Sequence, residues 1–198
     1  MTLRARQEFW QWFEQEVHPS LDRLELPQDE VIEDLDGRMA SFGLSWELGP
    51  APDGTEGWAF AVSFGADLDR IAAADRLVNV APTLSRCQVV LGKPPKRWNG
   101  VLNLPTGNEW VQFSTANWWC HILPLAGGMA IMVSPTEVGD VDEELVSLAV
   151  AIAVQSELGE LRFAQQVHDL SVVDPDRMEG LAGIRCRMHE LGFSRSDP

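Results

Sequence analysis

Four histidines (His18, His121, His168, His189) and three cysteines (Cys87, Cys120, Cys186) are the residues of this chain best suited to nucleophilic, acid–base or metal chemistry. Their spacing organises none of it. A structural zinc site draws on C-x-x-C or closely set Cys/His pairs, and no histidine here has a second ligand at metal spacing. His168-Asp169 and His189-Glu190 put an imidazole beside a carboxylate, which reads as a surface pair more readily than as half of a catalytic dyad. The chain has no G-x-S-x-G elbow, and its glycine turns Gly65-Ala66-Asp67 and Ala126-Gly127-Gly128-Met129 lack a P-loop lysine or a G-x-G-x-x-G. Asp36-Gly37 lacks the alternating oxygen ligands of a calcium loop. The sequence therefore nominates no catalytic, metal-binding or cofactor-binding residue. Ser, Cys and His can still converge in space.

Charge is the stronger signal. From Glu8 to Glu56 there are thirteen acidic residues against Arg23 and Arg38, so this stretch holds −11 of a net −15. Between Arg86 and Asn108 stand four basic residues (Arg86, Lys93, Lys96, Arg97) and no acid. A field of this kind attracts opposite charge and repels like charge. Nucleic acid is disfavoured as a partner, because the basic segment is too short to supply the usual phosphate contacts. Asp29, Glu30, Glu33 and Asp36 share one short segment, which reads either as a docking surface for a basic partner or as a solvated helix face. The basic loop around Pro94-Pro95 reads either as an anion site or as internal balance for those acids.

Eight tryptophans add a second signal. Tryptophan is enriched at binding hot spots because it offers a large apolar area and one donor, although core packing uses the same property. Trp118 and Trp119 are adjacent, and successive strand residues face opposite sides. One of the two must point away from the core, and that one is the expected contact residue.

The elements that would position these residues follow from periodicity. Phe9, Phe13 and Val17 predict a helix over 3–17, ended by His18-Pro19. Val31, Leu35, Met39 and Phe42 predict a second helix after Pro27, stopped at Gly43. Alternation over 44–48 and 58–64 predicts a hairpin around the turn 49–54, and Asp67 caps a helix reaching Val78. Strands are predicted over 88–91, 101–104, 110–113, 118–123 and 129–133, with antiparallel neighbours because the gaps are short. Asp140 followed by Glu143 opens a helix over 141–156 that is apolar on nearly every side, closed by Gly159. The segment 160–173 fits a helix or, from Leu170, a strand. Met178, Leu181, Ile184, Met188 and Leu191 predict a last helix after Asp174-Pro175, weakened by Gly180 and Gly183.

Helix–helix–strands–helix–helix gives an α+β class: one antiparallel sheet of about five to seven strands with N-terminal and C-terminal helices packed against it, in a single domain over 1–198. The longest apolar run, 145–154, is about half of the roughly 20 residues of a membrane span. An odd, scattered cysteine count fits a reduced, cytoplasmic compartment. No sequence repeat is evident.

Leu77-Val78-Asn79-Val80-Ala81-Pro82-Thr83-Leu84, followed by Val89-Val90-Leu91-Gly92-Lys93-Pro94, resembles a segment of a group of small, acidic, uncharacterised bacterial proteins. Those begin with an aromatic-rich helix, here Phe9, Trp10, Trp12 and Phe13, and continue with a hairpin, here 44–64. Glu157-Leu158-Gly159-Glu160 also suits their outline, while Cys87 and Gln88 stand where the group carries a tryptophan. The resemblance implies a bacterial, soluble α+β domain and carries no activity over to this chain.

Three functions are open to such a chain. One is a non-enzymatic binding module, an immunity-type inhibitor or an adaptor or chaperone, engaging a basic protein through Asp29, Glu30, Glu33, Asp36 and an exposed tryptophan. A second is an enzyme or small-ligand binder with a pocket between sheet and helices, Cys120, His121 or the basic loop at its mouth. The third is a homo-oligomer joined through its tryptophan-rich strands.

Overall fold

Thr2 opens the first helix, α1 (Leu3–Trp12), its hydroxyl accepting the Ala5 N–H. The His18-Pro19 pair does not end the helical run, contrary to the sequence expectation. The backbone widens into a π turn over Phe13–Val17, where the His18 N–H reaches the Phe13 carbonyl, and resumes as α2 (His18–Asp22). Pro19 thereby falls in a first helical turn, where its missing N–H leaves no gap. The structure, a computed structural model, describes residues 2–51, 56–107, 109–139, 141–178 and 183–192. It resolves into two compact units, Met1–Pro94 and Pro95–Pro198.

In the first unit α3 (Asp29–Ser41) buries Leu35 and Met39 and stops before Gly43, which takes a positive φ of 70° as helix-ending glycines do. Strands β1 (Ser45–Pro50) and β2 (Trp58–Ser63) form the expected antiparallel hairpin, with Trp46 opposite Val62 and Leu48 opposite Phe60. The Asp67 carboxylate caps α4 (Leu68–Val78) by accepting the Asp69 N–H. The chain then returns as β3 (Cys87–Leu91), parallel to β2. The sheet order is β1-β2-β3, so β2 is central and buried along nearly its whole length.

Aromatic rings hold the helices to this sheet. Trp10 and Phe13 of the first helical run meet Phe60 at ring separations of 6.1 and 4.7 Å, and Phe9 packs on Phe42 at 5.7 Å. Trp10 also donates its indole N–H to the Leu77 carbonyl at 2.8 Å, so the buried ring keeps its polar end satisfied while tying α1 to the end of α4.

The second unit starts with the hairpin β4 (Val101–Thr106) and β5 (Glu109–Ser114), a two-stranded sheet that sends Leu104 and Phe113 into the core. Strands β6 (Trp119–Leu125) and β7 (Gly128–Ser134) pair antiparallel. Then comes α5 (Glu143–Leu158), capped by Asp142 through the Glu144 N–H. The cap expected at Asp140 lies outside the described residues, as does part of the 49–54 turn. Val146, Ala149, Val150, Ala153 and Val154 of α5 pack on Cys120, Ile122, Ile131 and Val133. Gly159 turns the chain at φ 77° into α6 (Glu160–Gln166), and β8 (Val167–Val172) follows directly, parallel to β7. Both readings of the ambiguous 160–173 segment are realised, one after the other.

The last helix is a correction. The described part of 175–192 is a 3₁₀ turn (Pro175–Met178), a strand β9 (Ile184–Arg187) antiparallel to β6, and a second 3₁₀ turn (Met188–Glu190). Pairing with β6 outweighs a helical spacing that Gly183, at φ 135°, interrupts.

The α+β class holds, but not as one antiparallel sheet. The described strands form sheets of three, two and four, the last in the order β8-β7-β6-β9. Two pairings, β2–β3 and β7–β8, are parallel because a helix intervenes and supplies the long crossover such pairing needs. Each unit thus contains the same succession: hairpin, helical crossover, third strand parallel to the second.

Candidate functional site

Helix α3 displays the acidic residues because its apolar stripe is narrow. Leu35 and Met39 face inward, and Asp29, Glu30, Glu33 and Asp36, spaced at helical intervals, are exposed. Asp29 and Glu30 lie in the first turn, where the helix dipole favours negative charge. Asp34 is engaged by Arg38 at 3.0 Å, and the Arg38 guanidinium also lies 4.3 Å from the centre of the Trp12 ring. Asp36 accepts the Trp46 indole N–H at 2.7 Å. Asp29, Glu30 and Glu33 form no ion pair with any described residue. Arg86 reaches the Asp22 carbonyl at 3.4 Å and Lys93 approaches Glu47 at 3.8 Å, so neither clamps the α3 carboxylates.

The tryptophan pair divides as strand geometry requires. Trp118 is wholly buried, edge-on to Phe113 at 6.3 Å, and its indole N–H has no partner among the described residues. It is not a contact residue. Trp119 is half-buried, with the Arg187 and Arg185 guanidiniums 3.9 and 4.4 Å from its ring. The tryptophan most open to solvent is Trp110, 71% exposed beside the β4–β5 turn. In sequence it is one of several tryptophans in the strand region, and the only signal that sets it apart is its place just after the Gly107-Asn108 turn. The four acids belong to the first unit and Trp118 and Trp119 to the second.

Two groupings were invisible in the sequence. The Ser85 hydroxyl donates to Asp22 at 2.7 Å, and His18 Nε2 lies 2.9 Å from the Ser85 carbonyl and 3.3 Å from its Oγ. A Ser/His/Asp set has converged, but with the wrong polarity. The serine proton is given to the carboxylate, and Nε2 must carry hydrogen to bond the carbonyl, so no base is poised on the hydroxyl. The set fastens the turn before β3 to α2. Close by, a cavity of about 460 Å³ is lined by Val78, Pro82, Leu84 and Val89 with Arg86 and Gln88. The segment 77–84 supplies much of its wall.

The second grouping is Cys120 and Cys186, directly opposite on β6 and β9 and both buried. His121 is buried too, so neither it nor Cys120 stands at a pocket mouth. Among the described residues no three His, Cys, Asp or Glu side chains gather as a metal set, and no helix is long and apolar enough to cross a membrane. No protein-family model, curated protein or solved structure matches the chain.

Proposed function

We propose that this chain is a non-enzymatic protein-binding module of the bacterial cytoplasm, an immunity-type inhibitor or an adaptor or chaperone, that engages a basic protein through the outer face of α3. One observation carries the reading: Asp29, Glu30 and Glu33 are exposed side by side and no described cation neutralises them. Carboxylates held in that way steer a basic surface toward the helix and exclude acidic competitors. Asp36 contributes charge at the rim while its carboxylate also positions Trp46. The bacterial origin rests on the resemblance at 77–84.

The test is charge reversal, Asp29→Lys with Glu30→Lys and Glu33→Lys, leaving Asp36 in place to preserve its bond to Trp46. The wild-type chain, immobilised, retains a basic protein from its own host that the reversed chain releases, with unchanged circular dichroism in both. Equal retention by the two would remove α3 from the account.

A second reading, a small-ligand binder, has the cavity beside the 77–89 segment in its favour, with Arg86 and the oppositely charged Glu56 both on its wall. Arg86→Ala separates the two readings, since it leaves α3 untouched.

A further inference from the structure

We propose that Cys120 and Cys186 are a modification site: a dithiol that a small-molecule disulfide oxidises to a cross-strand disulfide joining β6 to β9. The register sets the two residues directly opposite each other in an antiparallel pair. Facing residues in such a pair have Cα atoms about 4.5–5.5 Å apart, within the roughly 4.4–6.8 Å over which a disulfide closes without backbone movement. Both side chains point to the same, core-facing side of the sheet, where they belong to one apolar cluster. Cys87 belongs to the other unit and has no such partner.

The two thiols are not equivalent. The Cys120 thiol is directed at the Met188 sulfur at 3.7 Å. The facing Cys186, with burial, raises the Cys120 pKa, whereas Cys120 lowers that of Cys186 against burial and the nearby Glu190. Cys186 is therefore the attacking sulfur. It also sits on the more accessible strand, a four-residue edge strand of the kind that opens locally before the sheet does. The Cys186 thiolate attacks one sulfur of the small disulfide, whose S–S bond breaks and releases one thiol. Cys120 then loses its proton and attacks the Cys186 sulfur of the mixed disulfide, expelling the second thiol. Two protein thiols are oxidised and one external disulfide is reduced to two thiols. The new bond spans β7, α5, α6 and β8 and clamps the short strand that bears Arg185 and Arg187 against Trp119.

The experiment incubates the full chain with glutathione disulfide at about pH 8, close to the ordinary thiol pKa. Samples are acid-quenched, alkylated in denaturant and digested without reductant. The expected product has lost two hydrogens and yields a single joined peptide pair, Cys120 with Cys186, while Cys87 carries the alkyl group. Dithiothreitol restores three alkylated cysteines, and the oxidised form unfolds at a higher denaturant concentration than the reduced. Cys186→Ser abolishes the joined pair; should that variant not fold, the wild-type peptide map decides alone. Three alkylated cysteines after conditions that oxidise dithiothreitol would overturn the proposal, as would glutathione persisting on Cys186 or any pair that includes Cys87.

Discussion

Glu157 lies near the end of α5 with its carboxylate half-buried, and burial pushes its pKa up, against the pull of the Trp98 indole N–H at 2.9 Å and of His189. A carboxyl group whose folded pKa is raised favours folding while protonated, and that contribution is lost as pH rises through the folded value. At neutral pH the ionised side chain is therefore a cost. Glu157→Gln, whose amide oxygen still accepts from Trp98, is expected to raise the melting temperature at pH 7. The gain should shrink as pH approaches the unfolded value of about 4.3. Calorimetry of both proteins across that range checks it; an equal or lower melting temperature at pH 7 would show that the ionised form is well accommodated. Cys87 is a second case. Burial raises its thiol to about 11, with a hydrogen bond from the Phe60 backbone acting in the opposite sense. Iodoacetamide near neutral pH should leave it unmodified in the folded chain and alkylate it once denaturant is added. Neither environment was legible in the sequence, because each is made by residues distant along the chain. The same holds for Cys120 and Cys186, which look scattered until β9 is paired with β6.

At the scale of elements, α3 has an inside and an outside that mutations should separate cleanly. Leu35→Ala removes a wholly buried side chain and should cost about 2–5 kcal/mol. Gly43→Ala meets no neighbour, yet forces a left-handed backbone on an L side chain, for about 1–2 kcal/mol. Reversing Asp29, Glu30 and Glu33 puts cations in the first turn, where the dipole disfavours them, and should lower stability by about 0.3–1 kcal/mol per terminal charge. That falls well short of the Leu35→Ala cost, so a chain that still unfolds cooperatively but has lost binding has lost it through charge. The boundaries of α3, α4 and the five central strands were readable because Gly, Pro and capping acids punctuate clear periodicities. Three features were not. The π turn at Phe13–Val17 leaves the helical spacing of the apolar residues intact and so hides from it. The parallel partners of β2 and β7 are chosen by tertiary packing. β9, at four residues, is too short to display alternation, while Ile184, Met188 and Leu191 mimic a helical stripe. On the candidate site, the alternation of strand residues implies that only one of Trp118 and Trp119 is buried but not which, and Trp118 is the one the core takes. The exposure of Trp110 depends on its place at the end of a hairpin that periodicity does not orient.

For the molecule as a whole, a net charge of −15 makes ionic strength the sharpest probe of the proposed association. Electrostatic steering raises on-rates by roughly 10- to 1000-fold and falls steeply with salt. The on-rate for a basic partner should therefore drop by about tenfold or more from low salt to about 0.5 M, while the off-rate changes less. Stopped-flow measurements separate the two, and a salt-independent on-rate would exclude steering by α3.

The sheet order of the second unit also bears on how the chain is made. Synthesis proceeds from the N-terminus, and domains generally fold as they emerge. The first unit, a contiguous segment, is complete in itself while the ribosome is still translating the second. β6 then has β7 beside it almost at once but must wait for β9, which is translated after everything else in its sheet. During that interval the nascent chain shows the cell an open strand edge backed by apolar residues, the kind of surface that invites chaperones or a neighbouring nascent chain.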